Sequence, residues 1–281
     1  MTRTRRSLSG AVWRRLRHFL RTPKGLLALV LAVLTTVAAR VEGLRLVMPG
    51  LLTAVVVASL LDASLLRFRR GRWRFPSGGL LTGMLVGSIL SSFEPLHVSA
   101  AASAIGVAGK HLIRTRSANV FNPAALGLVG VFYLFDSAHN WWGALTAIVP
   151  GAAWPLLLGS GLYVTARVNK LPLVLSFLSA YFALFAAATF VTVPGDVAEV
   201  FVVPDLLAVV YFACFILTDP PTSPTRYTAQ VACGVLVAGV SVSVFLRSGA
   251  AHYLLAGVLA GNLFEAARRW QRRLAGQRQP A

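Results

Sequence analysis

An all-α protein that crosses a membrane about ten times is the fold class this sequence predicts, and three observations carry that expectation. The 281 residues are 56% hydrophobic and only 13% charged, with a mean hydropathy of +0.70. A soluble domain carries about 25% charged residues. Apolar runs of roughly 15 to 24 residues recur between short polar breaks, and Lys and Arg gather in every second break.

Reading those runs in order gives segments at about 25–39, 46–66, 79–93, 97–113, 121–136, 142–165, 171–193, 202–218, 227–246 and 250–267. With the N-terminus inside, 24 of the 27 Lys and Arg fall on the inner side, leaving only Arg40, Arg45 and Arg247 outside. Because the loops are short, this bias predicts that both termini are cytoplasmic in a bacterial-type plasma (inner) membrane. The formal charge of +18 is therefore a topology signal rather than a nucleic-acid footprint. Arg-rich residues 1–24 ahead of an apolar run imitate a signal peptide, but nine further spans favour an uncleaved first helix. Trp13, Leu16, Phe19 and Leu20 lie near one face between arginines, which predicts a short interfacial helix.

The segments "LLTGMLVGSILSSFEP" (80–95) and "LLAVVYFACFILTDPP" (206–221) share a plan: an apolar run closing on a hydroxyl residue, an acid and a proline. "RSANVFNPAALG" and "RSGAAHYLLAG" follow them at a similar offset of about half the chain. Five spans per half would turn the second copy upside down in the bilayer. The expected organisation is a basic segment 1–24, a five-helix repeat 25–136, an inverted repeat 142–267 and a basic tail 268–281. The third run, 79–93, would be about 22 Å long as a helix, too short to cross about 30 Å of hydrocarbon. It and its counterpart at 202–218 are expected inside the protein, their irregular ends lining a cavity.

Candidate site residues cluster at the basic side. Asn122 followed by Pro123 reads as a helix cap with proline at the first helical position. That leaves Asn119 unexplained; a pair of amides, each donor and acceptor, suits the edge of a flat heteroaromatic ring. Phe121 stacks on such a ring or faces the core. Thr218 and Asp219 end the eighth run in "LTDPPTSPT", a helix stop whose acid either pairs with Arg226 or contacts a ligand. Thr82, among Gly78, Gly79 and Gly83, bonds back to its helix or points into the cavity. Cys214 and Cys233 read as packing residues, and the scattered histidines offer no haem pair or metal set. No hydrolase constellation and no catalytic residue is read.

Three motifs, "GGLLTGMLVGSIL", "NVFNPAALG" and "FILTDPPTSPT", in this order resemble the RnfD-type membrane component of Rnf electron transport complexes and its NqrB-type counterpart in the sodium-pumping NADH:quinone oxidoreductase. The resemblance runs from about Phe75 to Trp270. It implies a ten-helix bundle of two inverted repeats, similar in shape to urea and ammonium channels, and other membrane or redox subunits as partners. It also implies a non-covalent riboflavin or FMN near the cytoplasmic side, contacted at the positions of Thr82, Asn119 and Asn122. The covalent FMN of Rnf proteins is not expected, since the loop "FDSAHNWW" (135–142) lacks the Ser-x-Ala-Thr motif, and "LLAV" (206–209) replaces a second such motif. In this the chain resembles short membrane proteins associated with enediyne biosynthesis. Two functions remain open at this point: a flavin-binding electron-transport subunit, itself enzymatic or not, and a transporter or channel for a small solute using the same cavity. A homo-oligomer is compatible with either.

Overall fold

The computed structural model describes residues 17, 19–71, 73–115, 118–148, 150–190, 201 and 205–277. Ten helices are found among them: α1 (Pro23–Glu42), α2 (Leu44–Arg70), α3 (Ser77–Ile89), α4 (Leu96–Leu112), α5 (Pro123–Phe135), α6 (Pro150–Arg167), α7 (Leu171–Ala188), α8 (Asp205–Tyr211), α9 (Tyr227–Ser248) and α10 (Tyr253–Gln277). Each falls on one of the ten apolar runs. Most of the interfacial helix expected around Trp13 to Leu20 lies outside the described residues; Phe19 packs edge-on against Phe75, ring centroids 5.5 Å apart.

Four helices, α1, α2, α7 and α9, are long and apolar enough to cross a membrane. They carry large apolar side chains on their outer faces, among them Leu29, Val33, Leu52, Val56, Leu60, Leu175 and Val235. Such a surface suits lipid rather than water. The helices α3, α5 and α8 are short and apolar. Met84, Leu85, Val86, Ser88 and Ile89 of α3 are all buried, and so is every residue from Leu207 to Leu217. A helix buried all round is wrapped by protein. Beyond Tyr211 α8 runs on into a π-helical turn, Phe212–Ile216.

Within the first five helices α2 packs on α3 and α4, α4 on α5, and α1 on α3. Within the last five, α7 packs on α9, α9 on α10, and α6 on α8. The two groups meet where α1 touches α6, where α5 touches α10, and at a hydrogen bond between Ser88 Oγ and Tyr211 Oη of 2.9 Å. Small residues set the closest approaches. Gly79, Gly83 and Gly87, four residues apart on α3, face α2: a Cβ at Gly83 would lie 2.5 Å from Val55 Cα, and one at Gly87 2.8 Å from Leu51 Cα. Packing between membrane helices is won by such backbone proximity, because lipid is as apolar as the helix surface.

The sixth helix begins later than the apolar run at 142–165 predicts. Residues 142–144 form a separate 3-10 turn, bounded by Trp141 and Leu145 in the left-handed conformation, and α6 starts at Pro150. The Trp142 indole donates to Gly87 O at 2.8 Å, tucking this turn beneath α3. Leu90 pairs with His139 alongside, so α3 ends in a small knot of backbone rather than continuing outward.

Candidate functional site

Two polar segments converge at the end of the bundle where α2, α4, α6 and α8 finish. Asn122 caps α5: its Oδ1 accepts from Ala125 N at 3.1 Å, and Pro123 follows at the first helical position. Its Nδ2 donates to Ile216 O at 3.2 Å, and its backbone N–H donates to Asn262 Oδ1 at 2.7 Å. One residue thus ties α5 to the π-turn of α8 and to α10. The "TDPPTSPT" turn is gripped from three sides. Lys170, almost fully buried, donates to Ser223 O and Pro224 O; Arg269 donates to Pro221 O at 2.7 Å and Ser223 O at 3.2 Å; Asn262 donates to Thr222 O at 3.4 Å. Prolines cannot supply N–H groups, so the carbonyls of this turn face outward to cations and amides. Burial holds the Lys170 ammonium down to about 8, opposed by the carboxylates of Glu265 and Asp219.

Above the turn lies a narrow cleft of about 70 Å³, opening into a wider mouth of about 390 Å³. Thr82, Asn119, Asn122 and Asp219 line the cleft, with Phe215 supplying an aromatic face; Asn119 also lines the mouth. Four of the six residues singled out in the sequence are therefore brought together. Phe121 and Thr218 are not among the lining residues: Phe121 is half-buried before the α5 cap, and Thr218 Oγ1 is spent on Cys214 O at 2.6 Å. Thr82 Oγ1 donates back to Gly78 O at 2.9 Å, so its proton is spent and only its lone pairs remain to accept. The Asn119 amide has no hydrogen-bond partner among the described residues. Asp219 does not pair with Arg226; its Oδ2 accepts from Thr222 Oγ1 at 3.0 Å. Withdrawal from water pushes this carboxyl above the usual carboxylate range, against the pull of Thr222 and of Lys24, Lys110 and Lys170. A larger apolar groove of about 550 Å³ is lined by α9 alone, from Leu236 to Ser248, and gathers no groups from elsewhere.

The mouth holds a cluster that the sequence motifs do not reveal. Asp62, fully buried in α2, accepts from Lys110 Nζ at 2.7 Å and lies 2.8 Å from His111 Nε2; its other oxygen accepts from Gly79 N at 2.9 Å. An acid inside an apolar run is a functional candidate by default, and Asp62 in run 46–66 offered that signal.

Residues 20–154 match the NQR2, RnfD, RnfE family. The match spans α1 to α5 and the start of α6, and contains Asp62, Thr82, Lys110, Asn119 and Asn122. The family resemblance of the motifs is borne out: "GGLLTGMLVGSIL" and "NVFNPAALG" fall inside the match, "FILTDPPTSPT" beyond it. No curated protein matches the chain. The family implies a multi-pass membrane subunit of an electron transport complex, embedded in a lipid bilayer with other subunits.

Proposed function

We propose that this protein is a plasma-membrane electron-transport subunit that holds one non-covalent flavin, riboflavin or FMN, in the cleft between α3, α5 and α8. The single observation that carries the reading is the Asn119 amide: it lines both cleft and mouth, and both its donor and its acceptor are unused among the described residues. The alternating carbonyls and nitrogens of a flavin edge match such a group. Asn119 and the Thr82 lone pairs would hold the ring edge, and Phe215 offers an apolar face. Asn122 would act one step back, since its oxygen caps α5 and its amide nitrogen holds Ile216. The cleft alone is too small for a three-ring system; the adjoining mouth falls in the usual ligand-pocket range of about 300–1,000 Å³. A bound flavin supplies reversible electron transfer. The protein supplies orientation, a water-poor floor and a fixed edge contact.

Two further readings support this placement. Three of the packing pairs repeat: α2 with α4 and α7 with α9, α4 with α5 and α9 with α10, α1 with α3 and α6 with α8. The close pair of α2 with α3 has its counterpart only in the contact of α7 with the π-helical turn. Contacts of α1 with α6 and of α5 with α10 join equivalent members, as an inverted two-fold repeat requires. The cleft lies at the end that collects the basic loops, which makes it the cytoplasmic end under the positive-inside bias. Nothing among the described residues favours the solute-transport alternative.

The test is an absorption spectrum of detergent-purified protein before and after acid precipitation. Flavin bands that pass into the supernatant support the reading. A colourless protein that takes up no added flavin, or colour that stays in the pellet, refutes it.

A further inference from the structure

We infer that the mouth is a phosphate-binding site, so that the ligand of this protein carries a phosphomonoester at its outer end. The inference rests on the flavin reading for the identity of the inner end, and it makes FMN rather than riboflavin the occupant.

Lys24, Arg74, Lys110, His111 and Arg114 line this one hollow, and Asp62 is the only acid among its lining residues. They come from three separate places in the chain: the first turn of α1, the segment before α3, and the end of α4 with the turn after it. Topology alone asks for cations in the loops of one side; it does not ask three loops to aim them into one concavity. Asp62 compensates one of them. Its carboxylate is already spent on Lys110, His111 and the Gly79 N–H. Lys24, Arg74 and Arg114 form no ion pair among the described residues.

A helix end adds to the cations; His111, whose Nε2 donates to Asp62, keeps only a lone pair at its buried Nδ1 and takes no part in holding an anion. Ser77 and Gly78, which open the 13-residue helix α3, also line the hollow, adding the first-turn N–H of Gly78 and the positive end of a helix dipole. The mouth of about 390 Å³ gathers Lys24, Arg74, Lys110 and Arg114. The cleft of about 70 Å³ shares only Lys24 and Lys110 of these and is otherwise lined by Asp219, Thr82, two asparagines and apolar residues, so positive charge thins from mouth to cleft. Taken together the two hollows fit a molecule whose flat, uncharged edge reaches the cleft and whose dianionic end stays among the cations of the mouth. Phosphate on a free cofactor and phosphate in an anionic lipid headgroup share that chemistry.

The experiment uses flavin-free full-length protein in nanodiscs. FMN and riboflavin are titrated separately by flavin fluorescence, in neutral and in anionic lipid, at low and high salt. Inorganic phosphate is scored against chloride by thermal shift, and the comparison protein is Arg74→Gln/Arg114→Gln. FMN should bind at least about tenfold more tightly than riboflavin, the worth of about one charge-assisted hydrogen bond. High salt and the double variant should erase that margin, and inorganic phosphate should raise the midpoint of wild type only. A margin present in neutral but lost in anionic lipid keeps the phosphate site and assigns it to the headgroup. Equal affinity for the two flavins in both lipids, with no phosphate shift, overturns this inference and leaves the flavin reading standing. A phosphate shift with neither flavin bound does the reverse.

Discussion

Asp62→Leu is the substitution whose cost follows most directly from the geometry. The wild-type carboxylate accepts from Lys110 Nζ, His111 Nε2 and Gly79 N, at 2.7, 2.8 and 2.9 Å. Leucine removes all three acceptors at once. The Lys110 side chain is 18% exposed and can swing toward the mouth, so its loss is partly recovered. The His111 ring and the Gly79 N–H are enclosed and cannot follow. Two stranded buried donors at about 1–3 kcal/mol each put the cost near 3 kcal/mol, the lower part of the range for breaking a buried ion pair. At about 2–4 °C per kcal/mol for a chain of this size, the midpoint should fall by roughly 6–12 °C. Intrinsic tryptophan fluorescence of detergent-purified protein at one fixed scan rate reads this, with the half-life at constant temperature as a second measure if unfolding is irreversible. Lys110→Met in the Asp62→Leu background should add little, since the pair is already broken. A midpoint within about 1 °C of wild type would show that the cluster does not hold α2, α3 and α4 together.

Other outcomes follow from the same contacts. Asn122→Ala should lower stability by about 1–2 kcal/mol, through the lost cap and the bond to Ile216, whereas Asn119→Leu should stay within about 0.5 kcal/mol of wild type yet lose bound flavin; thermal scans beside absorption spectra separate the two. Gly83→Ala sets a Cβ 2.5 Å from Val55 Cα and 2.6 Å from Ala54 O, so α3 must leave α2; a loss of about 1–3 kcal/mol is expected from the same scans. Lys170 is held at about 8 in the folded protein against 10.5 for an ordinary lysine, so the unfolded chain binds more protons between those values. The stability of wild type relative to Lys170→Met should therefore rise as pH climbs from about 8 to about 10.5 and be flat below; unfolding midpoints across that range would contradict the burial of Lys170 if the difference did not change.

Much of the architecture is legible in hydropathy, because apolar run length decides where helices form and where lipid can be met. Runs 25–39 and 46–66 lie inside α1 and α2, which extend two to four residues beyond them at each end. Run 142–165 misled because Trp142 to Leu145 are as apolar as a span, while the break there is a matter of backbone angle and one indole hydrogen bond. The Asn122 cap was readable from the following Pro123 alone. Its partners were not: Asn262 lies 140 residues away, and only the folded chain brings α10 beside α5. Likewise Phe121, next to the amides in sequence, stays out of the cleft lining, and Phe215 from the distant π-turn takes that place. Proximity in sequence identified the segments of the site; the bond from Asn122 to Ile216, which ties α5 to the π-turn that holds Phe215, chose its aromatic.

The central claim is that the Asn-Pro and Asp-Pro-Pro segments close one ligand pocket open to the cytoplasm. Single cysteines at Ala118 and Pro221, in a background with Cys214 and Cys233 replaced by alanine, test it by labelling with a membrane-impermeant maleimide in oriented vesicles. Both should react only from the cytoplasmic side, and added FMN should slow both. Labelling from opposite sides, or rates that FMN leaves unchanged, would contradict it.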